Sequence, residues 1–377
     1  MNQQKIRIMH VVQSAGGVEQ YLVSLLKYMD RGRFENILVC SQDFTPSRFE
    51  GIVSRIEVVP MQREIGGRDA KAARAVRGLI RQYRPDIVYA HSSKAGAIMR
   101  LANVGMRNVS LYNPHGWAFN MHCSRRKQRM YRAVERMTAP MCDKIICISE
   151  AERESALSAR ICGDNKLCVI VNGVDVPLID SRPVPFTRSL LGIPEKAPVV
   201  GMVGRLSKQK APDVFLEMAK RVREQHPNAH FILVGGGEMI VELQNRITQN
   251  RMQSCVHITE WTTDPLRYAD LFDVAVLLSR WEGFGLVLPE YMLLQKPVVA
   301  TKVDAIPAII RNEKNGLLVP PDDPEAAAKA VLRLLDDNDL RERLRTQAER
   351  DARERYDVRR VAKSHEQLFE SLLKGKK

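Results

Sequence analysis

Val199-Val200-Gly201-Met202-Val203-Gly204-Arg205-Leu206-Ser207-Lys208-Gln209-Lys210 reads as a buried strand ending in a glycine turn, with cations just beyond it. It follows a proline-rich span, residues 176–198, holding Pro177, Pro183, Pro185, Pro194 and Pro198. Such a span reads as an interdomain linker, so the strand restarts a pattern. Upstream, apolar stretches at 6–12, 36–40, 56–59, 86–90, 110–113, 144–148 and 167–171 alternate with helical patterns at 17–29, 70–83, 94–104 and 125–139. Downstream, 231–234, 256–258, 274–278, 298–300 and 316–319 are short apolar strands with helical stretches between them. Strands alternating with helices predict a parallel, doubly wound sheet. The chain is α/β, and the pattern occurs twice. The expected boundaries are a domain at 1–175, the linker at 176–198, a domain at 199–356 and a terminal helix at 357–377. In that last segment Val358, Val361, Ala362, His365, Leu368, Phe369 and Leu372 keep helical spacing.

Loops at the carboxyl ends of strands in an open α/β sheet are where ligands bind. Arg205 and Lys210, five residues apart on such a loop, can point at one anion. A guanidinium gives bidentate phosphate contacts, and an ammonium acts as a compact point charge. A second stretch, Glu282-Gly283-Phe284-Gly285-Leu286-Val287-Leu288-Pro289-Glu290, brackets a glycine-aromatic-glycine turn with two carboxylates. The turn opens a helix whose first N–H groups suit a diphosphate. Pro289 fits a first helical turn. Glu282 is expected before the turn and Glu290 one to two turns inside, both within reach of one ligand. A sugar nucleotide offers hydroxyls on both sides of a diphosphate. Alone, each motif also reads as an exposed basic loop or a solvated helix; their occurrence together argues for a site.

Gly204-Arg205-(x4)-Lys210 followed by Glu282-(x7)-Glu290 resembles the donor site of the retaining, GT-B-fold glycosyltransferases of family 4, of the bacterial surface-polysaccharide type. The resemblance runs through most of the chain and includes Gly16-Gly17, His115-Gly116, Ile148-Ser149-Glu150, Asn172-Gly173-Val174-Asp175 and Asn315-Gly316-Leu317-Leu318-Val319. It implies two Rossmann-like domains facing across a cleft, an acceptor domain first and a nucleotide-sugar donor domain second, with the last helix crossing back. It implies transfer of a sugar from a nucleotide diphosphate sugar, with UDP-sugar as the expected donor, to an acceptor hydroxyl with retention. Front-face substitution would have the leaving phosphate take the acceptor proton. The expected donor contacts are Gly16, Gly17, Arg205, Lys210, Glu282, Phe284, Gly285, Leu286 and Glu290, with Glu290 on the ribose and Glu282 on sugar hydroxyls. His115 is expected to face the sugar and to assist the chemistry by positioning, beside Arg205, Lys210 and Glu282. No cofactor is expected beyond the co-substrate, and no metal, because two cations and a helix terminus can neutralise the diphosphate.

The chain departs from the family pattern twice. After 256–258 a glycine-bearing turn is replaced by Thr259-Glu260-Trp261-Thr262, so Trp261 and Thr262 form the expected nucleobase loop while base identity is open. After 298–301 a glycine-rich loop is replaced by Lys302-Val303-Asp304-Ala305-Ile306-Pro307. His91-Ser92-Ser93-Lys94-Ala95-Gly96 marks another strand end, where Ser92 or Ser93 fits either a helix cap or a place whose free N–H groups bind an acceptor or a sugar hydroxyl. Gly16-Gly17 fits either a tight turn or close approach of a ligand.

With 377 residues, 45% hydrophobic and 27% charged, the chain can build two ordinary domains. No apolar run reaches the roughly 18 to 20 residues that span a bilayer. The start of the chain has no signal-peptide organisation, and seven scattered cysteines without a Cys-x-x-Cys pair read as reduced thiols. A cytoplasmic protein is expected, peripheral on the inner face of the membrane. His226, His230 and His257 lack metal-ligand spacing. The net charge is +14, and residues 1–190 hold 29 Lys and Arg against 17 Asp and Glu. Within 121–137, Arg125, Arg126, Lys127, Arg129, Arg132 and Arg136 face one acid, Glu135. On a helix Arg125, Arg129, Arg132 and Arg136 share one side, and Met130, Val134 and Met137 another. A basic amphipathic helix suits an anionic membrane surface, hence a lipid-linked saccharide acceptor in capsule, exopolysaccharide or O-antigen synthesis. Two alternatives are a sugar-nucleotide epimerase of the same fold and a basic nucleic-acid-binding protein. Aromatics at 6% and no nucleic-acid motif argue against nucleic acid as a partner.

Overall fold

The computed structural model describes residues 5–13, 15–62, 66, 68–182, 186–259 and 261–375. It divides into two units, one ending at Val174 and resuming at Val358, the other Asp175–Asp357.

In the first unit the strands are β1 (Ile6–Val12), β2 (Phe34–Cys40), β3 (Arg55–Val58), β4 (Ile87–His91), β5 (Val109–Asn113), β6 (Lys144–Cys147) and β7 (Leu167–Val169). All pair in parallel, in the order β3-β2-β1-β4-β5-β6-β7. The helices are α1 (Gly17–Tyr28), α2 (Arg68–Tyr83), α3 (Ser93–Ala102), α4 (Arg125–Thr138) and α5 (Glu150–Ser158). Helices cover parallel sheets on both faces, which is why β1 and β4 are apolar at nearly every position rather than alternating. Met9, Val11, Val88, Ala90, Tyr112 and Ile145 form the centre of this core.

The second unit repeats the scheme with β8 (Val199–Val203), β9 (His230–Val234), β10 (Val256–Thr259), β11 (Val274–Leu277), β12 (Val298–Thr301) and β13 (Leu317–Val319), ordered β10-β9-β8-β11-β12-β13. Its helices are α6 (Val176–Asp180), α7 (Pro212–Gln225), α8 (Ile240–Gln249), α9 (Leu266–Ala269), α10 (Val287–Leu293), α11 (Ile306–Ile309), α12 (Pro324–Asp336) and α13 (Asn338–Arg355). Val200, Met202, Phe231, Leu233, Val274 and Val276 anchor a separate core. In each unit the strand order reverses beside the first strand, between β1 and β4 and between β8 and β11. Ligands of doubly wound sheets bind outside the carboxyl ends at such switch points.

Residues 176–198 are more structured than their prolines suggest. Asp175 caps α6 by accepting the Leu178 N–H at 3.0 Å. Arg182 grips Asp270 through two bonds of 2.6 and 3.0 Å, and Arg188 grips Asp273 at 2.9 and 3.0 Å. The segment is thereby tied to the second unit; Pro183 and Pro185 lie outside the described residues. The last helix, α14 (Val358–Lys374), belongs to the first unit. It packs on α1 and β2, with Phe369 on Phe34 at 6.3 Å and Glu366 accepting the Asp30 N–H at 2.7 Å. Burying Phe369 alone stabilises this docking by about 1.5–3 kcal/mol. Helix α5, absent from the pattern reading, starts at Ser149, whose hydroxyl accepts the Glu152 N–H at 3.1 Å. The Ser-x-x-Glu spacing of a capping box was the signal for it. Among the described residues no helix is long and apolar enough to cross a membrane, and all seven cysteines are free.

Candidate active site

The loops after β8 and β11 meet at the switch point of the second unit. Arg280, at the end of β11's loop, stitches them. Its guanidinium donates to both oxygens of Asp213 (3.1 and 2.7 Å), to Asp322 (2.6 Å) and to the Lys208 carbonyl (2.8 Å). Gln209 adds a bond from its side chain to the Trp281 carbonyl at 3.0 Å. On this frame Lys210 pairs with Glu282, whose Oε2 also accepts the Ser279 hydroxyl at 3.1 Å. Glu282 is buried and its N–H is held by Asp304 at 2.7 Å. Arg205 is exposed and has no side-chain partner among the described residues. Lys210 is therefore a paired cation and Arg205 an open one, a difference their spacing does not reveal.

Glycine makes the close approach of these loops possible. A Cβ on Gly235 would stand 2.3 Å from the Gly204 carbonyl oxygen, and one on Gly237 would stand 2.2 Å from that of Leu206. The run 235–237 thus braces the cation loop from β9, with Leu206 donating to the Gly236 carbonyl at 2.9 Å. Trp261, 68% exposed, lies beside Gly236. Thr262 accepts the Asp264 N–H at 3.1 Å, and Glu260 lies outside the described residues.

Glu282 precedes the turn as expected, but α10 begins only at Val287, so Glu290 falls in its first turn rather than one to two turns inside. Burial pushes the Glu290 carboxyl up to about 7, and it has no side-chain partner among the described residues. Gly285 takes φ 82°, which favours glycine, and Leu286 follows it into the helix start. The Phe284 ring, in contrast, turns inward against Tyr356, centroids 5.7 Å apart, leaving only its backbone for a ligand. The Asn315-Gly316 pair proves to be packing. Asn315 accepts the Arg311 N–H at 2.6 Å and donates to Asp351 at 2.7 Å, while a Cβ on Gly316 would meet Ile310 at 2.8 Å.

In the first unit, Gly16 (φ 90°) and Gly17 lie after β1, and His115 (φ 51°) after β5, on the switch-point side of the sheet. The His115 N–H donates to Asn113 at 2.9 Å, and the Gly116 N–H to buried Glu152 at 2.7 Å. Ser92 takes φ 83° and makes no cap bond; its hydroxyl and the Gln13 amide nitrogen are buried without partners among the described residues. The Ser93 hydroxyl lies instead 3.3 Å from the Tyr112 oxygen, whose own proton goes to Glu135, so neither serine caps α3. On α4, Arg125, Arg126, Lys127, Arg129 and Arg132 are all exposed. The helix is fastened from its other side by buried Glu135, which pairs with Arg100 at 2.8 Å and accepts Tyr112 at 2.8 Å. On the apolar side of α4, Met130 and Met137 are 42% and 64% exposed. Among the described residues no group of three or more His, Cys, Asp or Glu is arranged to hold a metal.

Two doubly wound parallel units with polar groups gathered at both switch points define the GT-B class of glycosyltransferases. The structure of Anabaena HepE in complex with UDP and glucose has this fold, with a TM-score of 0.83 at 23% identity over 97% of this chain and 100% of that one. The model described as Glycosyltransferase Family 4 matches residues 15–177, and that described as Glycosyl transferases group 1 matches 184–351. The chain belongs to the glycosyltransferases of family 4. It is 28% identical over 349 residues, 89% of each chain, to the Escherichia coli UDP-Gal:alpha-D-GlcNAc-diphosphoundecaprenol alpha-1,3-galactosyltransferase. It is 23% identical over 328 residues, 84% of this chain and 85% of the other, to the capsular polysaccharide biosynthesis glycosyltransferase CapM of Staphylococcus aureus.

Proposed function

We propose that this glycosyltransferase moves a sugar from a UDP-sugar to a hydroxyl of a lipid-linked saccharide, with retention, in surface-polysaccharide assembly. The observation that carries the reading is the open guanidinium of Arg205 on the loop that carries Lys210, the Lys210–Glu282 pair, and the Glu290 carboxyl in the first turn of α10, which has no side-chain partner among the described residues, all near the switch point of the second unit. Arg205 and Lys210 stabilise the charge that grows on the leaving diphosphate, and preorganised charge of this kind is often the largest catalytic term. They supply the neutralisation that a divalent ion provides elsewhere, so turnover is expected to survive chelator. Glu290 accepts from the ribose and Glu282 from the sugar, with Trp261 beside the base. His115 meets a saccharide hydroxyl at the first unit. In the reaction the bond from C1 to the β-phosphate oxygen breaks, and C1 bonds the acceptor oxygen on the same face. The acceptor proton passes to the departing phosphate oxygen.

The acceptor class is supported by the named substrates of the Escherichia coli relative and by the exposed arginines and methionines of α4, which suit a peripheral position on the inner membrane face. The test is thermal shift against a panel of nucleotides and nucleotide sugars, followed by NMR of the anomeric configuration in the product. A UDP-selective shift and a retained anomer support the reading. Stabilisation by no nucleotide, or an inverted product, sinks it.

A further inference from the structure

Three histidines stand in line through the core of the first unit. The Asn36 Oδ1 lies 3.2 Å from His10 Nε2, His10 Nδ1 lies 3.2 Å from His91 Nε2, and His91 Nδ1 lies 3.0 Å from His115 Nε2. They come from β2, β1, the end of β4 and the loop after β5, so the line runs across adjacent elements of the sheet. Tyr89 lies against His91 with ring centroids 4.0 Å apart and planes tilted by 45°, and Tyr21 meets His115 edge-on at 4.8 Å, which holds the rings in place. His115 Nδ1 has no partner among the described residues.

A neutral imidazole has one N–H donor and one bare acceptor nitrogen. In a line of neutral imidazoles, the direction set at one end passes to the other. An amide oxygen only accepts, so His10 carries its proton on Nε2 and presents a bare Nδ1. His91 then donates from Nε2, and His115 does the same. We propose that Asn36, His10 and His91 are positioning residues that fix the tautomer of His115, leaving its Nδ1 as a hydrogen-bond acceptor for a saccharide hydroxyl. Burial keeps the three rings neutral: His10 is lowered to about 4, His115 to about 3, and His91 well below its usual value. The direction opposes the simplest expectation for a sugar-facing histidine, namely a donor. The consequence for transfer rests on the proposed contact of His115 with the saccharide, whereas the tautomer itself does not.

The test is long-range proton–nitrogen correlation on the full chain with ring-labelled histidine, without ligand, at neutral pH. His10, His91 and His115 should each show one neutral form protonated at Nε2. His365 supplies the contrast, because its Nδ1 sits 2.8 Å from the Val361 carbonyl and must carry the proton. His91→Phe keeps a ring against Tyr89 but cuts the line; Asn36→Leu removes the anchor at the far end. Either should convert His115 to a mixture of tautomers and lower kcat about tenfold, the rate equivalent of one modest hydrogen bond, with donor KM within about twofold. A wild-type His115 protonated at Nδ1 overturns the proposal without needing a variant. So does an unchanged His115 spectrum in a folded variant. Spectra that change as expected beside an unchanged kcat would overturn the positioning role, while nucleotide binding by the second unit would stand.

Discussion

Arg205 and Lys210 share a loop, but only Lys210 neutralises a buried carboxylate. Arg205→Ala should therefore lower transfer by at least about tenfold, and up to the 100- to 1,000-fold seen for lost charge-stabilising donors, with the melting curve unchanged. Lys210→Ala should cost a similar factor and also about 1–3 kcal/mol of stability, since the Glu282 carboxylate then keeps only Ser279 among the described residues. Steady-state kinetics beside urea titrations check both; equal stability of the two variants would refute the distinction. Glu290 makes a pH prediction. Its folded carboxyl lies near 7, above the usual 4.5, so the native state holds this proton longer than the unfolded one. This group's contribution to stability is therefore greatest below the unfolded value and declines as pH rises through about 7. A ribose hydroxyl donating to the carboxylate favours the ionised form, so UDP affinity should rise from pH 6 to 8 in the native chain. In Glu290→Gln it should be weaker and flat. Calorimetric titration across that range decides, and parallel profiles would remove Glu290 from the ribose. The two loop motifs were legible because each is short and continuous, 204–210 and 282–290, and each follows its own apolar strand. Asp304 and Arg280 were not, because what they hold comes from other strands.

Elements were legible for a related reason. Parallel strands buried on both faces write continuous apolar runs, and the strands of both sheets follow the runs closely. Helix α5 was missed because its nine residues, Glu150–Ser158, are largely polar and bury only Glu152 and Ala156. Its importance is positional. Glu152 accepts the N–H of Ile148 at 2.6 Å and of Gly116 at 2.7 Å, and its carbonyl takes the Trp117 indole at 2.8 Å. The helix start therefore staples the turn that carries His115. Burial raises the Glu152 carboxyl to about 7 against these two donors. Glu152→Gln keeps the shape but supplies one oxygen and one NH2 where two N–H groups need acceptors. It should cost about 1–3 kcal/mol and reduce kcat, with UDP affinity unchanged because UDP is assigned to the second unit. Unaltered stability would show that water takes over one of the bonds.

Charge divides along the structural units more sharply than along the sequence. Residues 1–190 carry +12 of the +14, but the segment 358–377 brings six more basic residues against two acidic ones back to the first unit. That unit holds 33 Lys and Arg against 17 Asp and Glu, or +16, while the second holds 25 against 27, or −2. The half that holds Arg205 and Lys210 is thus nearly neutral overall, and the strong field belongs to the half with α4. There the exposed arginines stand beside exposed Met130 and Met137, while Glu135 and Thr138 face inward. A solvated surface helix requires the arginines but not the methionines; a membrane surface uses both. Sedimentation with vesicles should show binding that rises with anionic lipid and falls with salt, since the screening length is only about 10 Å at 0.1 M. With about 1 kcal/mol per nearby basic residue, replacing Arg125, Arg129 and Arg132 with Gln should weaken binding on the order of 100-fold at low salt. Changing Met130 and Met137 to Ser should instead lower the binding that survives high salt. Hydrogen exchange on vesicles should protect α4 and leave residues 199–357 as in solution. Binding by neither variant nor native chain at any lipid composition would move the acceptor into solution, and protection in the second unit would reverse the assigned orientation.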